Sequence, residues 1–195
     1  DADLTYSVIP GHEYSQTMST KASRLGYEVI VHIPMGTTTP NFGEDEYIIK
    51  ASMTSAEIES RMNKVLQHLP EAVGMNNHQG SKASASKRVM NVMGTVLKEN
   101  GKYFLDSRTT KETQAELVMR TLGVPTGRRH VFLDNNADEN SISQQLYILA
   151  EKAKTSGFAV GIGHVKENTL NVLQREIPKL KADNFEFVFV SEVVN

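Results

Sequence analysis

Seven short apolar runs rich in β-branched and aromatic residues punctuate this chain, and between them the apolar residues switch to helical spacing. The runs are Leu4–Ile9 (LTYSVI), Tyr27–Ile33 (YEVIVHI), Ala72–Asn76 (AVGMN), Lys102–Asp106 (KYFLD), His130–Asp134 (HVFLD), Phe158–His164 (FAVGIGH) and Phe185–Val190 (FEFVFV). Each reads as a buried strand. Thr54 and Glu57 form a capping-box pattern ahead of Ile58, Met62, Val65, Leu66 and Leu69. Val89, Val92, Met93, Val96 and Leu97 repeat the helical spacing up to Gly101, a natural helix stop. Leu146, Leu149 and Ala153, then Leu170, Leu173, Ile177 and Leu180, do so again. Strand and helix in alternation predict a parallel sheet wrapped by helices, as a barrel or a doubly wound sheet.

The chain has 195 residues, 39% hydrophobic and 23% charged, enough for one domain with a full core. A net charge of −2 with both signs spread along the chain offers no basic stripe, so no nucleic-acid partner is expected. No apolar run approaches the roughly 18 residues of a membrane span, and no signal peptide opens the sequence. Cysteine is absent, which rules out disulfides and thiolate metal ligands. One connection, Met35–Ser52, is too long for a plain strand-to-helix loop and reads as functional or mobile. With no repeat and no linker, a single domain over 1–195 is expected.

In parallel α/β folds, chemistry gathers where strands end and the following loops converge. Here His32, His78, Asp106, Asp134 and His164 stand at or near five strand ends, whereas the strand bodies are almost free of such groups. A buried imidazole or carboxylate is costly unless paired or metal-bound. Histidines and carboxylates on one rim, without cysteine, suit a divalent Zn, Ni, Mn or Co ion with open positions for water. Metal-assisted hydrolysis is therefore the leading chemistry. The chain has no glycine-rich phosphate loop and no Gly-x-Ser-x-Gly elbow, so nucleotide and serine-esterase chemistry lack their usual signals.

Five ordered segments, GYEVIVHIPM, GMNNHQGS, FLDSRTT, FLDN and GIGH, together resemble the divergent polysaccharide deacetylase family over almost the whole chain. The resemblance implies an irregular (β/α) barrel of about seven parallel strands. It also implies a metal-dependent hydrolase, with zinc as the expected metal, that removes N- or O-acetyl groups from a carbohydrate. On it, His32 maps to the first metal histidine. The fourth position beyond His32 is Gly36 rather than the family's second histidine, and His78 is taken as the second ligand. Asp106 maps to the aspartate that tunes the general acid, and His164 to the histidine that protonates the leaving group. Asn76, Asn77, Ser81, Arg108 and Asp134 are expected to contact substrate or to support these residues. The family's pair of adjacent aspartates belongs to a strand ahead of Leu4–Ile9. Asp1 and Asp3 do not stand in that setting, so the domain is expected to lack, or to be preceded by, that strand. An extracytoplasmic location follows from the resemblance, as does an alternative reading: a catalytically silent envelope protein that binds glycan or a partner on the same fold.

Plainer roles stand beside these. His32 can be a satisfied core histidine, and His164 can cap the helix expected near Asn168. Asp106 and Asp134 can serve turns or helix caps, and Arg108 can pair with either carboxylate. His12, His68 and His130 have no converging partners in the sequence and read as surface residues. Met90 and Met93, at helical spacing, read as core.

Overall fold

The computed structural model describes residues 2–37 and 46–195. In chain order its elements are β1 (Thr5–Val8), α1 (Ser15–Arg24), β2 (Glu28–Met35), α2 (Ser55–His68), β3 (Gly74–Gln79), α3 (Lys87–Glu99), β4 (Tyr103–Asp106), α4 (Ala115–Leu122), β5 (Thr126–Arg128), β6 (Val131–Phe132), α5 (Glu139–Ser156), β7 (Gly161–Ile162) and α6 (Glu167–Ala182). The expected α/β class and parallel pairing are present: β1 to β5 form one parallel sheet in sequential order, and β6 and β7 form a second parallel pair. The chain resolves into two compact units. The larger comprises Leu4–Arg128 and Phe189–Asn195; the smaller is built chiefly from Arg129–Val188.

In the larger unit, the period of two along each strand sorts side chains between the faces of the sheet. Val31, Ile33 and Met35 of β2, Met75 of β3 and Phe104 of β4 turn to one face. There they are buried with Ile58, Met62 and Val65 of α2, Val89, Met90, Met93, Val96 and Leu97 of α3, and Val118 and Met119 of α4. The register His32↔Asn76 and Pro34↔His78 sends those residues to the other face, and Asn76↔Leu105 continues it into β4. Pro34 is tolerated inside β2 because β1 pairs only as far as Val31, and the Pro34 carbonyl takes the Ile49 N–H instead.

Gln79, the last residue of β3, and Arg108, two residues past the end of β4, both adopt left-handed backbone, with φ of 55° and 50°. The Gln79 carbonyl accepts from Asn77 Nδ2 at 2.8 Å and Thr109 Oγ1 at 2.8 Å, bonds that hold the conformation.

Two expected elements differ. Phe185–Val190 is not a strand: its aromatics Phe185 and Phe187 pack against the smaller unit's core, and a 3₁₀ turn, Val190–Glu192, follows. The fifth strand is instead Thr126–Arg128, whose Gly-Arg composition gave no strand signal. The smaller unit buries Val131, Leu133, Ile142, Leu146, Ala150, Val172 and Leu180 in a core of its own. Among the described residues no helix is long and apolar enough to cross a membrane.

Candidate functional site

In the larger unit, His32, Asn76 and His78 occupy adjacent positions on the face of the sheet away from the helical core. His32 Nδ1 lies 2.7 Å from Asn76 Oδ1. An amide oxygen only accepts, so a proton resides on His32 Nδ1, and in the neutral ring Nε2 carries the lone pair. His78 Nδ1 stands 3.1 Å from that Nε2, and the two rings meet edge to face with centroids 4.8 Å apart. Ser7 of β1, exposed on the same face, donates its hydroxyl to the same Asn76 oxygen. Ser7 lacked a signal in the sequence because a lone serine in an apolar strand matches no chemical motif.

The donor set fits two positions of a divalent metal. Imidazole nitrogens each about 2.0–2.1 Å from a tetrahedral ion lie about 3.3 Å from one another, close to the spacing seen here. A backed ring, with its second nitrogen bonded to a carbonyl, is also how metal histidines are ordinarily oriented. Among the described residues no group of three or more His, Cys, Asp and Glu side chains gathers as a complete ligand shell.

The other candidates in this unit do different work. Asn77 points to the opposite face, is 1% exposed, and takes the Ser107 N–H on Oδ1 at 2.8 Å, bracing the end of β3 against the loop after β4. Asp106 also lies on the helical-core face and is fully buried; it accepts from the Arg108 N–H at 2.8 Å and Thr113 Oγ1 at 2.9 Å. Burial pushes the Asp106 carboxyl above its ordinary range, and those two hydrogen bonds only partly offset it. Ser81 donates to Thr37 Oγ1 at 3.2 Å. Of the histidines expected at the surface, His68 is half-buried and meets the Gly11 N–H and the Tyr47 hydroxyl, while His130 Nδ1 accepts the Val160 N–H at 2.9 Å.

In the smaller unit the carboxylate set on His164 is Asp134, where the resemblance implied Asp106. Asp134 is buried just beyond β6. Its oxygens receive the His164 N–H at 2.8 Å, the His164 ring Nδ1 at 3.1 Å and the Thr169 hydroxyl at 3.0 Å. Burial alone would raise this carboxyl, but the bonds from His164 and Thr169 outweigh it and hold the group below its ordinary range. The His164 side chain is 51% exposed, so a buried anion orients a ring that solvent reaches. Neither residue caps a helix: the N-cap position of α5 is Asp138 and that of α6 is Lys166.

A family model described as divergent polysaccharide deacetylase matches residues 1–194. The chain belongs to that family. Among curated relatives it is 31% identical over 181 residues to an uncharacterized protein of Haemophilus influenzae, covering 93% of this chain and 64% of that protein. It is 33% identical over 180 residues to the uncharacterized protein YibQ of Escherichia coli, covering 92% of this chain and 56% of that protein. This family member thus spans somewhat under two thirds of the length of either relative. The crystal structure of an uncharacterized protein from Agrobacterium tumefaciens superposes with a TM-score of 0.93 at 20% identity, covering 98% of this chain and 78% of that one, which shows a shared fold.

Proposed function

We propose that this family member is a metal-dependent hydrolase that removes acetyl groups from a carbohydrate, outside the cytoplasm. The observation that carries the reading is the His32–His78 pair, two imidazole nitrogens 3.1 Å apart on one sheet face with His32 already backed by Asn76. Zinc is the expected ion, and the chemistry it supplies when bound is polarisation of an acyl carbonyl and of the water that attacks it. The chain's own part would be to hold both rings in place, with the proton that lies between their nitrogens moving to His78 Nε2 as a cation binds, so that both imidazoles ligate in neutral form. In the smaller unit, Asp134 accepts from His164 Nδ1 and fixes the orientation of the ring. A histidine held in this way is placed to pass a proton to a departing amine or alcohol. Asp106, buried and bonded to the loop after β4, supports that loop in this reading.

The test is metal content by elemental mass spectrometry of protein purified without chelators, beside a His32→Ala, His78→Ala double variant. Near-stoichiometric zinc in the wild type and its loss in the variant are expected; a folded wild type that takes up no zinc when offered it overturns the metal reading. His164→Ala is expected to lower turnover of acetylated sugars by about 10²–10⁴-fold with zinc content unchanged, and loss of zinc in that variant would overturn the assignment.

A second reading is a silent glycan- or partner-binding protein on the same fold. Zinc binding with no release of acetate from any acetylated sugar would support it.

A further inference from the structure

We infer that Asn76 is a positioning residue, acting through His32 rather than on substrate, and that Ser7 is its partner. The inference rests on the metal-centre reading for its functional weight. Asn76 is 4% exposed, so its amide is withdrawn from anything that enters from solvent. Its Oδ1 receives two donors from two different strands, the Ser7 hydroxyl of β1 and His32 Nδ1–H of β2, the latter at 2.7 Å. Both lone pairs of that oxygen are thereby engaged, which fixes the rotation of the amide and leaves the ring no choice of tautomer. The consequence appears on the far side of the neutral ring: His32 Nε2 is the lone-pair nitrogen, facing His78 Nδ1 at 3.1 Å.

The register makes this arrangement hard to reach otherwise. His32 and Asn76 are direct neighbours across β2 and β3, and Ser7 approaches from β1, so three consecutive strands of one sheet contribute one residue each. A free histidine favours the opposite tautomer, with its proton on Nε2. The assignment is therefore visible in the protein before any metal is added.

The experiment uses the full chain, stripped of metal, and reads the ring nitrogens of His32 by long-range proton–nitrogen correlation. Zinc affinity is then measured by competitive titration on the same samples. His32 is expected to carry its proton on Nδ1 in the wild type. In Asn76→Ala that proton should move to Nε2 and zinc affinity should fall about 10- to 100-fold. Asn76→Asp retains the accepting oxygen and should restore both. Ser7→Ala, the milder variant, should keep the tautomer with a smaller loss of affinity. An unmoved ring spectrum in Asn76→Ala, or an Asn76→Asp protein that folds yet behaves like Asn76→Ala, overturns the inference. A wild type that binds no zinc overturns the metal reading instead, and the ring spectrum then decides the role of Asn76 alone: a shifted tautomer supports it and an unshifted one defeats it.

Discussion

A Cβ placed on Gly74 would sit 2.6 Å from carbons of the Tyr103 ring, well inside van der Waals contact. The glycine is what lets Tyr103 lie flat across β3 and deliver its hydroxyl to Glu28 Oε1 at 2.7 Å. That oxygen also takes the Thr5 hydroxyl at 2.8 Å and the Ser191 N–H at 3.2 Å, so one carboxylate ties β1, β2, β4 and the final segment together. Burial, reinforced by Glu28, drives the Tyr103 hydroxyl pKa upward, so the group stays a donor at every ordinary pH. Gly74→Ala is expected to destabilise the protein by about 1–3 kcal/mol through overpacking. Tyr103→Phe, which keeps the ring and loses the bond, should cost about 1 kcal/mol. Urea midpoints of the two variants test the order, and an unchanged midpoint for Gly74→Ala would show that the ring moves aside freely.

At the scale of the element, α2 begins with a complete capping box. Thr54 Oγ1 accepts the Glu57 N–H at 3.3 Å, and Glu57 returns a carboxylate oxygen to the Thr54 N–H at 2.7 Å. Removing the cap in Thr54→Ala should cost about 1 kcal/mol, measurable as a fall in the unfolding midpoint, whereas Thr54→Ser should cost little. The same helix marks what could be read in advance. Its cap and the apolar positions Ile58, Met62 and Val65 form a local pattern, and local patterns survive in sequence. α1 left no such trace because its buried face is Ser15, Ser19 and Ala22, small residues that read as polar surface. Thr126–Arg128 was silent for a related reason, since its place in the sheet comes from pairing with β4 rather than from strand propensity. The aromatic run Phe185–Val190 misled because packing by a few rings and pairing by a strand look alike in composition. The site divided along the same line. His32, His78, Asp134 and His164 were visible as ionisable groups near strand ends. Which carboxylate serves His164, and which face Asn77 and Asp106 occupy, depends on register and loop course, and those are tertiary properties.

Across the molecule, buried carboxylates set the response to acid. Glu176 receives Arg175 Nε at 2.7 Å, Lys179 Nζ at 2.9 Å and the Tyr147 hydroxyl at 3.0 Å, and these bonds, that of Arg175 foremost, hold its carboxyl down to about 2. Asp134 is lowered as well. Unfolded carboxyls titrate at roughly 4, so both groups contribute stability that is present above that range and is lost as the pH falls through their lowered folded values, about 2 for Glu176. Asp106, raised by burial, acts with the opposite sign: the folded chain holds that proton more tightly, and this part of the acid response favours folding. The Glu176 contribution should therefore fall away between about pH 5 and about pH 2. Glu176→Gln should flatten the fall when unfolding is followed across that range, and an unchanged slope would remove Glu176 from the account.

The larger unit is assembled from two stretches of chain, Leu4–Arg128 and the distant Phe189–Asn195. The second stretch supplies Val190 N–H to Thr5, Ser191 N–H to Glu28, and a backbone pairing of Asn195 with Thr126 at the β5 edge. A ribosome makes these parts in order. A nascent chain paused at residue 185 would already hold every strand of the sheet, yet Glu28 would lack one of its donors and the β5 edge would be open. Completion of the sheet that carries His32 and His78 thus waits for synthesis of Phe189–Asn195.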